Sequence, residues 1–210
     1  MRKLLRYLKD SGAPDLTRYV PRVPLPAPRD VIVTEAERDL ILNAAPMYLR
    51  CWLLLCSDLA LRSGTAARLA PKHYNQEARE VSIVTKAGRS VHLPVTDELA
   101  NIFAAVSDRD PETPFVHQLH RRCKVNADYL RNVFWRLRHS LGITRDLRAH
   151  DLRRTTAVKA LDITGDLRLV QALLGHTQLR STLHYLDHRN TSVPRELVEA
   201  IAQRGRNPRV

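Results

Sequence analysis

Apolar residues in this chain recur at helical spacing nearly throughout and switch to strict alternation over residues 80–94. That single change of period limits the folds open to it. Val81, Ile83 and Thr85 alternate with polar neighbours, and Val91 and Leu93 alternate on the return. Lys86-Ala87-Gly88-Arg89 between them has the composition of a tight turn, so the stretch predicts a two-stranded antiparallel hairpin. Upstream, Thr34-Glu35-Ala36-Glu37 reads as a capping box opening a helix that runs to about Ala45. A second helix is expected from about Pro46 through the leucine-rich run to about Leu61. Downstream, Ala127, Leu130, Val133, Phe134, Leu137 and Leu141 lie on one helical stripe. Further helices are expected over 149–162, 167–174, 179–187 and 194–203. The fold class is therefore α+β, mostly α-helical with a small antiparallel hairpin or sheet.

Ahead of this patterning lies an arm. Residues 1–11 suit a short amphipathic helix, and five of the twelve prolines then fall at positions 14, 21, 24, 26 and 28. Such a run stiffens the chain into an extended linker. The division expected is 1–33 as helix and linker and 34–210 as the folded domain. Hydrophobic residues at 44% and charged residues at 27% support a packed core for a chain of 210 residues. Three cysteines cannot build a disulfide framework and point to a reducing compartment. Cys51 and Cys56 sit in an apolar run and read as buried small hydrophobes. That run reaches Ser57 and Asp58 well before the ~20 apolar residues of a membrane span. The N-terminus alternates charge with leucine too often for a signal peptide. A soluble, cytoplasmic protein without a membrane partner is the expectation.

The charge is less ordinary. Thirty-four Lys and Arg against twenty-two Asp and Glu give a net +12, an excess that calls for a polyanion. From Arg121 to Arg154, ten basic residues face only Asp128, Asp146 and Asp151, a net +7 in one segment. A run of charge is commonly a solvated helix face. With acids this scarce, a phosphate-facing surface is the better reading, with Arg121, Arg122, Lys124, Arg131 and Arg154 as candidate DNA contacts.

Three short stretches carry chemistry. In His150-Asp151-Leu152-Arg153-Arg154, a helix would set His150 and Arg153 on one face, an imidazole beside a planar guanidinium fork. Taken alone this is a pair of neighbours on a helix surface. Leu173-Leu174-Gly175-His176 ends a helix at the glycine and presents His176 just beyond it. Nine residues later comes Tyr185, which is either a packing residue with its hydroxyl at the surface or a nucleophile. His184 and His188 have a spacing that suits zinc, but no cysteine or carboxylate pair stands at matching spacing, and no metal site is expected.

Together these stretches resemble the catalytic domain of the tyrosine recombinases, the phage integrase family. His150-Asp-Leu-Arg153 resembles the family's histidine-x-x-arginine motif, and Leu174-Gly175-His176 its leucine-glycine-histidine element. Tyr185 falls where the family keeps its nucleophile. Leu59-Ala-Leu-Arg62-Ser-Gly64 resembles the segment bearing the first catalytic arginine, and the hairpin turn places Lys86 where the family has a lysine. The resemblance covers roughly residues 30–203. Two departures stand out. The position three after Arg62, usually acidic in the family, is Thr65. The family's N-terminal DNA-clamping domain has no counterpart, so residues 1–33 would be the remnant of its last helix and linker.

The resemblance implies a strand transferase acting through a 3′-phosphotyrosine, with Tyr185 as nucleophile. A phenol with pKa of about 10 is only about 0.1% ionised at pH 7, a handicap of about 4 kcal/mol, so a base is needed. The resemblance gives that role to His150. Arg62 and Arg153 would clamp the phosphate oxygens, His176 would donate a further hydrogen bond, and Lys86 would protonate the leaving 5′ oxygen. With two arginines supplying the electrostatics, no cofactor or divalent metal is implied. The implied partner is double-stranded DNA, and the implied assembly a homo-oligomer, a tetramer on DNA. Its link would be a tail helix over 194–203, with Leu197, Val198 and Ile201 as the apolar stripe. Competing readings are a type IB topoisomerase, a non-catalytic DNA-binding regulator of the same fold, and a basic RNA- or membrane-associated domain.

Overall fold

Thr34 opens the first helix as its sequence requires. Its Oγ1 accepts from the Glu37 amide at 3.2 Å while the Glu37 carboxylate accepts from the Thr34 amide at 2.9 Å. The computed structural model that shows this describes residues 7–15, 31–84, 88, 90–106, 110–120, 122–176 and 182. The chain divides into two units, Met1–Asp30 and Val31–Val210. In the first, residues 7–10 are helical, and Lys9 pairs with Asp15 at 2.7 Å. Most of the proline-rich stretch lies outside the described residues.

In the second unit the order is α1 (Glu35–Ala44), α2 (Met47–Ser57), α3 (Ser63–Ala66), a 3₁₀ turn (Pro71–His73), β1 (Tyr74–Asn75), β2 (Glu80–Val84) and β3 (Ser90–Pro94). Then follow α4 (Asp97–Ala104), α5 (Phe115–His120), α6 (Ala127–Ser140), α7 (Ala149–Thr164) and α8 (Leu167–Leu174). Helix α2 is the axis of the core. Eight of its eleven residues are buried, Trp52 and both cysteines among them, and it packs against α4, α5, α6 and α7. Burial pushes the Cys56 thiol up to about 12, the signature of an inert packing residue. The stripe expected on α6 is in place: Leu130 and Phe134 are buried, and Ala127, Val133, Leu137 and Leu141 pack on the same core.

Three expectations change. Helix α2 ends at Ser57 rather than near Leu61. Beyond it Ala60 takes a left-handed conformation, φ 49°, which breaks the helix and turns its carbonyl inward. The hairpin is part of a three-stranded antiparallel sheet, because the two-residue strand β1 pairs with β2 through Tyr74↔Val81 and Asn75↔Glu80. A strand that short carries too little alternation to be read from sequence. Helices α4 and α5, which the sequence reading does not name, cover the core over Leu99, Ile102, Phe103, Phe115 and Val116. The hairpin register is as expected, with Val81↔Leu93 and Ile83↔Val91 paired across β2 and β3. The helices expected over 179–187 and 194–203 lie outside the described residues, apart from Thr182. Among the described residues no helix is long and apolar enough to cross a membrane.

Candidate active site

The site grows from one buried guanidinium. Arg153 stands in the first third of α7, only 3% exposed. It reaches across to two other segments, donating from Nη1 to the Ala60 carbonyl and from Nη2 to the Leu174 carbonyl, the latter at 2.8 Å. Both carbonyls face inward for local reasons. Ala60 is left-handed, and Leu174 ends α8 ahead of Gly175, a left-handed C-cap with φ 57°. The α8 cap then delivers His176, whose amide donates to the Gln171 carbonyl at 3.1 Å and whose carbonyl accepts from Gln171 Nε2 at 3.0 Å. Arg153 Nη2 lies 3.2 Å from His176 Nε2, and His176 Nδ1 lies 3.0 Å from Thr182 Oγ1. Since a guanidinium only donates, Nε2 accepts and the ring proton sits on Nδ1, toward Thr182.

Arg62 enters from the α2–α3 corner. Trp52, fully buried, donates from Nε1 to the Ser63 carbonyl at 2.9 Å and so fixes the backbone next to Arg62. Arg62 and Arg153 line one cavity of about 140 Å³. Its remaining walls are Thr65 and Arg68, the face of β2 and β3 presented by Ile83, Val84, Val91 and Leu93, and the end of α8. The two arginines thus share one cavity wall.

Both histidines sense these charges. The His176 imidazole is pushed down to about 4 by burial first, then by the positive charges of Arg153 and Arg62 and by His150. His150 lies on the face of α7 toward Arg153 and keeps a solvent-exposed side. Its pKa is also lowered, by the protein around it and then by Arg153, a trend that Asp151 opposes. At neutral pH both rings are therefore uncharged, and His150 is in the state a proton acceptor needs. Two arginine forks beside two neutral imidazoles form a site for a tetrahedral oxyanion such as a phosphodiester.

Arg62, His150, Arg153 and His176 are thus brought together. Lys86, Tyr185 and Arg121 lie outside the described residues, as do His184 and His188. The strands on either side of Lys86, however, end at the cavity, through Val84 and Val91. Among the candidate DNA contacts, Arg122 and Lys124 are exposed and have no ion-pair partner among the described residues. Arg131 is exposed and paired with Asp128. Arg154 is corrected: it is 7% exposed and does not line the cavity, so it is not the surface side chain expected of it. The expected scarcity of acids also fails in part. Arg148 pairs with Asp146 at 2.6 Å, Arg145 donates from Nε to Glu37 at 2.7 Å, and buried Arg138 lies 3.7 Å from Asp146. Glu37 is 108 residues from Arg145 in sequence, so a local charge count could not find that pair. Arg68 and Thr182 are the site neighbours the sequence reading missed.

Comparison with known proteins places this geometry. The profile of the phage integrase family matches residues 30–192. The tyrosine recombinase XerC of Salmonella typhi is 27% identical over 202 residues, which cover 89% of this chain and 65% of the relative. The chain thus spans about 65% of the length of that relative. Among solved structures, the XerA recombinase superposes with a TM-score of 0.63 at 19% identity, covering 90% of this chain and 70% of its own. The Tn1549 transposon integrase, solved in complex with transposon right end DNA, gives 0.67 at 13% identity over 97% of this chain and 83% of its own. These likenesses show a shared fold. With the profile spanning more than three quarters of the sequence, the chain belongs to the phage integrase family.

Proposed function

We propose that this chain is the catalytic domain of a site-specific DNA recombinase, cleaving and rejoining double-stranded DNA through a 3′-phosphotyrosine. One observation carries the reading: Arg62 and Arg153, 91 positions apart in sequence, line the same cavity within electrostatic reach of His150 and His176. In this reading residues 34–210 form the catalytic domain and 1–33 an arm leading into it. The Tn1549 integrase, which shares the fold, was solved on DNA, and that supports DNA as the substrate.

The steps balance without an external energy source. The Tyr185 oxygen attacks phosphorus, its proton passing to neutral His150. The bond from phosphorus to the 5′ oxygen breaks, and Lys86 protonates the departing 5′ hydroxyl. Charge that builds on the non-bridging oxygens is met by the forks of Arg62 and Arg153. A phosphate in the cavity competes with His176 for the Arg153 Nη2 hydrogens. Its negative charge favours a protonated His176, able to donate in turn. A later hydroxyl attacking the phosphotyrosine reverses the sequence on a new partner strand. Assembly as a tetramer on DNA through residues 194–203 belongs to the same reading.

A duplex carrying a nick that traps the covalent intermediate tests this directly. Tyr185→Phe is expected to form no covalent protein–DNA adduct while binding DNA within about 2-fold of wild type, since it removes one hydroxyl and no charge. A covalent adduct from the Phe variant removes Tyr185 from its role. A second reading, a DNA-binding regulator without cleavage, draws on uncharged Thr65 in the cavity wall. An unmodified wild-type protein in the same assay, at full DNA saturation, is its expected result.

A further inference from the structure

The cavity wall holds three guanidinium groups, those of Arg62, Arg68 and Arg153, and no carboxylate among its lining residues. Two forks satisfy the non-bridging oxygens of one phosphodiester, which carries a single negative charge. A third cation in a space of about 140 Å³ repels the other two unless a second anion comes with it. Arg68 has no ion-pair partner among the described residues, although it is exposed and free to find one.

The position of Arg68 within the cavity differs from that of the other two. Arg62 and Arg153 depress both histidines, whereas Arg68 is a cause of neither shift. Arg68 shares its cavity wall with Ile83, Val84 and Val91 of the hairpin. Its side chain is also held close to the protein. Nη1 lies 3.5 Å from the place a Cβ would occupy on Gly64, so one end of the guanidinium rests over α3. Thr65, between the two arginines, adds no charge to neutralise them.

We propose that Arg68 binds the backbone phosphate adjacent to the scissile one, on the hairpin side of the cavity. This rests on the reading of the cavity as a DNA-cleavage site. Arg62 and Arg153 grip the reacting phosphate, and Arg68 is a positioning residue that sets the register of the strand running from them toward the β2–β3 turn.

The test measures equilibrium binding to a short random-sequence duplex as salt is varied, with circular dichroism verifying the fold of each variant. Losing one phosphate contact lowers the steepness of log K against log salt by about 0.9. Arg68→Ala is therefore expected to shrink the affinity drop between 50 and 200 mM salt by about 3-fold relative to wild type. Arg68→Lys, which keeps the point charge, is expected to restore the wild-type slope. A wild-type slope in Arg68→Ala overturns the proposal, and so does weaker binding with an unchanged slope, which would mark a packing role. The slope is read on intact DNA without cleavage, so a failed Tyr185 assignment leaves this result standing on its own.

Discussion

At the scale of single residues, the neutral His176 ring has a measurable consequence. Its pKa of about 4 lies below the ordinary imidazole value near 6.5 because burial and two arginines oppose a further charge. An unfolded chain takes up that proton as pH falls through about 6.5, while the folded chain refuses it until about 4. Stability is thus unaffected by this group above 6.5 and declines between 6.5 and 4, with His150 adding in the same direction. Urea midpoints measured across that range are expected to fall, and His176→Gln to flatten the decline. A midpoint that holds steady down to pH 4 contradicts the neutral ring. DNA should counteract the loss, because a bound phosphate favours the protonated imidazole. Legibility at this scale was uneven. His150, Arg153 and His176 announce themselves through short local motifs. Thr182, Arg68 and the Ala60 carbonyl do not, since nothing in their immediate neighbours marks them as part of a site whose buried Arg153 is 29, 85 and 93 positions away.

At the scale of elements, the α2–α3 corner determines where Arg62 points. Trp52 fills the core under it, edge-on to Phe134 at 6.4 Å, and spends its only polar atom on the Ser63 carbonyl. Trp52→Phe keeps an aromatic ring but removes that hydrogen bond, leaving the Ser63 carbonyl with the Ala67 amide at 3.1 Å, and opens a void. The cost is about 1–3 kcal/mol, combining one lost hydrogen bond with lost packing. The urea midpoint should drop accordingly, and covalent trapping at saturating DNA should slow because the Arg62 backbone loses its anchor. An undiminished trapping rate would mean the corner is held by other contacts. Helix α6 was readable because its apolar period persists over fourteen residues. The corner was not. Ala60 has no glycine or proline signal, and its left-handed geometry is imposed by what surrounds it, not by its own preference. The apolar run therefore read as helix past the point where the chain turns.

At the scale of the whole molecule, the net +12 divides into charge used internally and charge left for a partner. Arg131, Arg138, Arg145 and Arg148 meet carboxylates within the fold, while Arg122, Lys124 and Arg136 stay exposed without an acid among the described residues. A surface that neutralises six or more phosphates loses affinity on the order of 10³-fold between 50 and 200 mM salt. That steepness is expected for the intact chain on duplex DNA, and a shallow dependence would mean that most of its positive charge never reaches the backbone. Net charge was legible from composition alone, but its division was not, because pairing across more than a hundred residues depends on the finished fold.

The Arg153 guanidinium has one more consequence. It is tied to peptide oxygens of two sequence-distant segments before any substrate arrives, so the three segments meeting there behave as an arch closed by a single stone. Dividing the chain between Ala60 and Leu174 would leave a buried positive charge with part of its anchorage gone. The division between a smaller working piece and a dispensable remainder therefore cannot fall inside this stretch: the group best placed to grip the substrate is also what makes the domain indivisible.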